Sequence, residues 1–152
     1  MELTNYEKLL DEAYSYGLEV VEADLGGDCG YCYDETIYIN RNSTETYKYC
    51  VLSEEIGHYF TTTGDITYLN SSSNIHQEYR ARTWSYNKII SPDNIINSIL
   101  KGSNSLQDLV EDLSVNEEFL LEAIEFYQRK YGLYYVGEKY LLTFSPLNVI
   151  PY

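Results

Sequence analysis

A chain of 152 residues suits one domain that buries roughly 68–70% of its unfolded surface without disulfides or metal, and no second independent core is expected. Twenty-four acidic against 10 basic residues give a formal charge of -14, so the clustered Lys and Arg that nucleic acid or an anionic membrane would require are lacking. The opening Met1-Glu2-Leu3-Thr4-Asn5 has no basic n-region or apolar h-region, and no run approaches about 18 apolar residues, so a soluble cytoplasmic protein is expected.

Thr4 caps the first predicted helix, with Glu7 at the capping-box position and Tyr6, Leu9, Leu10, Ala13 and Tyr14 as its apolar stripe, and Gly17 stops it. Leu18 to Ala23 reads as a short strand ended by the turn Gly26-Gly27-Asp28. Cys29-Gly30-Tyr31-Cys32 is a C-x-x-C without the second pair of a zinc knuckle or the βαβ setting of a redox motif; together with Cys50 it makes an odd set of three thiols, expected reduced. Glu35 to Asn40 is a second strand, forming an antiparallel ribbon with the first in front of the next helix. That helix is capped by Asn42, Ser43 or Thr44 and runs to about Thr62.

Thr61 to Asn74 is polar and turn-rich, a loop long enough to gate a cleft. A helix from His76 to about Ile90 follows, stopped by Ser91-Pro92. Three amphipathic helices come next, about Pro92 to Lys101, Ser105 to Leu113 and Asn116 to Tyr131. The last two have a helix-turn-helix outline, but Glu111, Asp112, Glu117, Glu118, Glu122 and Glu125 disfavour a DNA groove. A hairpin around Gly137 and an irregular end close the chain. The eighteen tyrosines identify no ligand by themselves.

Chemistry concentrates in Val51-Leu52-Ser53-Glu54-Glu55-Ile56-Gly57-His58-Tyr59-Phe60. On a helix, Glu54 and His58 stand one turn apart on one face, with Glu55 beside them. The run is one residue away from H-E-x-x-H, in which two imidazoles hold zinc and the Glu activates water; a carboxylate stands in place of the first imidazole. A solvated acidic face carrying a structural histidine would give the same spacing. Glu78, 20 residues after His58, opens the pattern Glu78-x-x-Ala81-x-x-Trp84-Ser85, in which the small Ala81 admits a close helix crossing. Glu54, His58 and Glu78 would then surround one ion and leave Glu55 free as general base. His76 is the only other imidazole and a candidate substitute ligand. A di-iron bundle needs Glu-x-x-His twice, and Ser53 and Cys50 lack a nucleophile's setting.

Leu52-Ser53-Glu54-Glu55-Ile56-Gly57-His58-Tyr59 resembles the Leu-Ala-His-Glu-Leu-Gly-His-Tyr signature of the ImmA/IrrE metallo-endopeptidases, and Glu78-x-x-Ala81-x-x-Trp84-Ser85 resembles their downstream element. Arg80-Ala81-Arg82-Thr83-Trp84 is similar to a phage subgroup whose signature carries Glu-Glu in place of His-Glu. The resemblance is strong from about Ile37 to Ile90 and loose at the flanks. It implies an α+β fold with a zincin-like minimal metallopeptidase core, a small antiparallel sheet on the motif helices, and a C-terminal helical bundle. The whole is expected as a single domain over 1–152, divided into 1–90 and 91–152. It further implies a metal-dependent endopeptidase of the bacterial cytoplasm that cleaves a helix-turn-helix repressor of a phage or mobile element. By the resemblance Glu55 is the base and His58 and Glu78 are ligands. Glu54 departs from the family pattern, and a two-carboxylate, one-imidazole set is less selective for zinc and more hospitable to manganese or iron. The alternative is a weak or inactive relative that binds the repressor as a regulator.

Overall fold

The structure, a computed structural model, describes residues 2–61 and 71–152, the first four residues of its third helix by backbone alone. The chain divides into two compact units, Met1–Ser85 and Tyr86–Tyr152.

The first unit opens with α1 (Asn5–Ser15). Its capping box forms as expected, with the Thr4 side chain accepting from the Glu7 backbone N–H at 3.2 Å and Glu7 Oε1 accepting from the Thr4 N–H at 3.0 Å. These two bonds satisfy donors that a helix start otherwise leaves unpaired. Tyr6, Leu9 and Ala13 form its buried stripe.

Three strands follow, β1 (Glu19–Ala23), β2 (Gly30–Tyr33) and β3 (Thr36–Asn40), with β3 in the centre of the order β1-β3-β2. The expected antiparallel ribbon of two strands is corrected here: β1 and β3 are parallel neighbours, and only β2 runs antiparallel to β3. The reason is β2 itself, which reverses the chain between them. Four residues led by a glycine and flanked by turns carry little strand signal. Gly30 is required in this place, because a Cβ there would lie 2.8 Å from the Tyr38 carbonyl oxygen and from Val51 Cγ1. Asp34, in the left-handed region at φ 58, turns β2 into β3. Asn40 ends β3 and locks the preceding loop: its Nδ2 donates to the carbonyls of Gly26 (3.2 Å) and Asp28 (2.9 Å), and its Oδ1 accepts from the Asn42 N–H (3.1 Å).

α2 (Glu45–Thr61) packs on β2 and β3. Leu52, Ser53, Ile56 and Gly57 are buried, as are Ile37 and Ile39 of β3. α3 (Ser71–Ile89) starts five residues before the expected His76. Ser and Asn compete for backbone bonds in a helix interior but are accepted in a first turn, which is why Ser71 to Asn74 read as loop. Of the Thr61 to Asn74 stretch expected as a gating loop, Thr61 ends α2 and Ser71 to Asn74 open α3, and 62–70 lie outside the described residues.

In the second unit, α4 (Pro92–Leu100), α5 (Leu106–Leu113) and α6 (Glu117–Tyr131) are capped by Ser91, Ser105 and Asn116, and Ser114 makes the left-handed turn between α5 and α6. An antiparallel sheet, β4 (Tyr134–Val136), β5 (Tyr140–Phe144) and β6 (Leu147–Pro151), completes the unit. The expected irregular end is instead β6, which pairs with β5 across the cis Ser145–Pro146 turn. Its core gathers Ile95, Leu109, Val115, Leu120, Ala123, Tyr127 and Leu142, and the Tyr127 hydroxyl donates to the Ile90 carbonyl at 3.0 Å. Among the described residues, no helix is long and apolar enough to cross a membrane.

Candidate metal centre

Glu54, Glu55 and His58 lie on α2 as the spacing predicts, and Glu78 approaches from α3. The crossing that brings them together is set by backbone contact. A Cβ on Gly57 would fall 2.4 Å from the Ala81 carbonyl oxygen, so only glycine lets α3 pass this closely over α2. One residue after Gly57 and three before Ala81, His58 Nε2 meets Glu78 Oε1 at 3.2 Å. Near Phe60 the crossing is reinforced by its stacking on Trp84, with centroids 5.5 Å apart, and Tyr16 of the α1 C-cap meets the same ring edge-on at 4.9 Å.

His58 is mostly buried, and Glu78 more than half exposed. Burial pulls the His58 imidazole down, but the Glu78 hydrogen bond and the charges of Glu78, Glu55 and Glu54 outweigh it and leave the ring above its ordinary value. The same hydrogen bond holds the Glu78 carboxyl below the usual carboxylate range, aided by the charges of His58 and Arg82. Glu55 differs from both. Burial pushes its carboxyl up to about 7; His58 opposes this, and the like charges of Glu54 and Glu78 add to it. A carboxyl poised near neutrality beside an imidazole is the state wanted of a general base.

Glu54 turns to another partner: Arg82, one turn beyond Glu78 on α3, places Nε 3.6 Å from Glu54 Oε1. Sequence reading noted Arg82 only as part of a motif; its spacing of four from Glu78 was the signal that it shares the face that meets α2. Cys32, read from sequence only as part of a C-x-x-C, lies on β2 near enough for the Glu55 charge to act on it. Its thiol is pushed up to about 11 by burial and by the charges of Glu55 and Asp34, so without an ion it stays protonated near neutral pH. His76 is exposed and two residues, about 200°, around the helix from Glu78, so it is not brought to the cluster.

The donor chemistry suits a divalent ion. Two ligands bound at about 2.0–2.1 Å in tetrahedral geometry stand roughly 3.3 Å from each other, and the His58–Glu78 separation of 3.2 Å matches that spacing. The third donor, Glu54, faces Arg82, and among the described residues no three His, Cys, Asp or Glu side chains are grouped closely enough to hold a metal ion. Of the three candidate donors, His58 and Glu78 are in contact with each other and Glu54 is paired with Arg82.

A family model described as the IrrE N-terminal-like domain, a peptidase family, matches residues 13–125, which span α2, α3 and every residue of the cluster. No curated protein matches the chain. With a match over most of its length, the chain belongs to the IrrE N-terminal-like domain family and carries a metallopeptidase-type domain.

Proposed function

We propose that this chain is a metal-dependent endopeptidase of the bacterial cytoplasm, with Glu55 as its base and His58, Glu78 and Glu54 as the residues that would hold the ion. The observation that carries the reading is the pairing of roles on one helix crossing: a His58–Glu78 pair at ligand spacing and, beside it, a Glu55 carboxyl at about 7. When bound, a divalent ion supplies Lewis acidity toward a peptide carbonyl and makes water a better nucleophile. Zinc is the first expectation; manganese and iron suit the carboxylate-rich set. Glu55 takes a proton from water as its oxygen adds to the carbonyl carbon, then returns that proton to the amine nitrogen as the C–N bond breaks. A carboxyl near 7 is suited to both transfers. A helix-turn-helix repressor of a phage or mobile element is the proposed substrate, on the strength of the resemblance in the two signature elements.

The Glu54–Arg82 pair favours a second reading, a relative that keeps the fold and binds the repressor without cleaving it. One experiment separates the two. Purified repressor is incubated with zinc- or manganese-loaded protein and with its Glu55→Gln variant. Cleavage by the first and none by the second, at equal metal content, supports the peptidase; an intact repressor in both, with a stable complex, supports the regulator. Equal cleavage by both would remove Glu55 from the mechanism.

A further inference from the structure

Arg82 is a cation placed against the cluster, and the donor that it meets is Glu54. Its Nε lies 3.6 Å from Glu54 Oε1. A guanidinium keeps its charge at every working pH. It therefore cannot vacate the site by losing a proton, as a lysine or histidine could. Glu54 and Arg82 are both partly exposed, so the pair itself is weak and can open.

Resting on the reading of Glu54, His58 and Glu78 as the donor set, we propose that Arg82 is a built-in competitor for the metal: it neutralises Glu54 when the ion is absent and opposes the ion's entry. Three observations converge on this. Glu54 is the donor that departs from the family signature, and it is the one that Arg82 engages. The other two donors already stand at ligand spacing. Arg82 also sits four residues after Glu78, so a helix that delivers the Glu78 donor delivers the opposing charge with it. The consequence is a site that fills only when the free metal concentration is high.

The test is calorimetric titration of chelator-treated protein with zinc and, separately, manganese, with thermal shift as a second readout. Arg82→Met keeps the apolar stem and removes the charge. The expected result is tighter binding than wild type by roughly tenfold, the size expected for removing one partly screened positive charge near a divalent ion. In a Glu54→Gln background the same change should gain less, because the contested donor is gone. Wild-type binding with an unchanged or weaker constant in Arg82→Met overturns the competition and leaves the donor set standing. No binding by either protein, with Glu78→Gln indistinguishable from wild type, overturns the donor set and the competition with it.

Discussion

His58 Nε2 and Glu78 Oε1 stand 3.2 Å apart across the α2–α3 crossing, and this contact controls the titration of both groups. Burial alone would depress the imidazole; Glu78 is the main reason that it is raised instead. Replacing Glu78 by Gln keeps the shape and removes the charge. The His58 midpoint should then fall, as read from the histidine ring signals by NMR against pH, with His58→Gln for assignment. Metal affinity should weaken by at least the roughly 10–100-fold seen when a group that only orients a ligand is lost. An unmoved His58 midpoint would mean that the contact is absent in solution.

Gly57 offers a test of the crossing itself. The Cβ of an alanine would press on the Ala81 carbonyl oxygen, and backbone cannot rotate out of the way as a side chain can. Gly57→Ala should destabilise by about 1–3 kcal/mol, the usual cost of overpacking, even though alanine is the better helix former. Urea unfolding measures it. A gain in stability, as helix propensity alone predicts, would show that α3 does not approach this closely.

Asn40 carries a comparable load at the end of β3. Its amide group donates to two carbonyls of the 24–29 loop and accepts from the start of the turn into α2. Asn40→Ala leaves those backbone groups without their partner in a buried place, a loss of about 2–3 kcal/mol. Asn40→Asp should be nearly as harmful, because a carboxylate cannot donate to the two carbonyls. Equal stability of Asn40→Asp and wild type would show that the donated bonds contribute little.

What the sequence disclosed and what it hid follow one physical division. Helix ends were legible because their signals are local: Thr4 with Glu7 and Asn116 three residues before Phe119 act within one turn, and Ser91-Pro92, read as a stop, also proves to cap α4. The site was legible as far as it depends on i,i+4 spacing, which placed Glu54, Glu55 and His58 on one helix and marked Ala81 as a crossing point. Strand pairing depends on distant partners, and there the reading failed. With Gly30 to Tyr33 unrecognised, the two visible strands were expected antiparallel, whereas the missing reversal makes them parallel. Arg82 was hidden for a related reason: a charge on one helix chooses its partner on another, and spacing along α3 shows only which face it occupies.

Glu55 gives the protein a pH dependence of definite sign. Its carboxyl moves from an ordinary 4.5 to about 7 in the fold, chiefly through burial. Between those values the folded chain keeps a proton that the unfolded chain has released, so stability falls as pH rises through this window and the loss is complete above it. His58 adds to the same trend: its raised value makes its contribution full below the unfolded midpoint and lost as pH climbs through the folded one. Glu78, held low, acts oppositely, contributing above its unfolded value and losing that only as pH falls through its folded value. Chelator-treated protein should therefore be most stable near pH 5 and weaker at pH 8. Glu55→Gln, which cannot ionise, should flatten most of that slope and exceed wild type at pH 8 by on the order of 2 kcal/mol, allowing for screening of a partly exposed group. Urea midpoints at pH 5, 6.5 and 8 for both proteins decide it. A wild-type midpoint that rises from pH 5 to pH 8 would show that Glu55 is ionised and solvated in the folded chain, and with that the case for it as a base poised at neutrality would go.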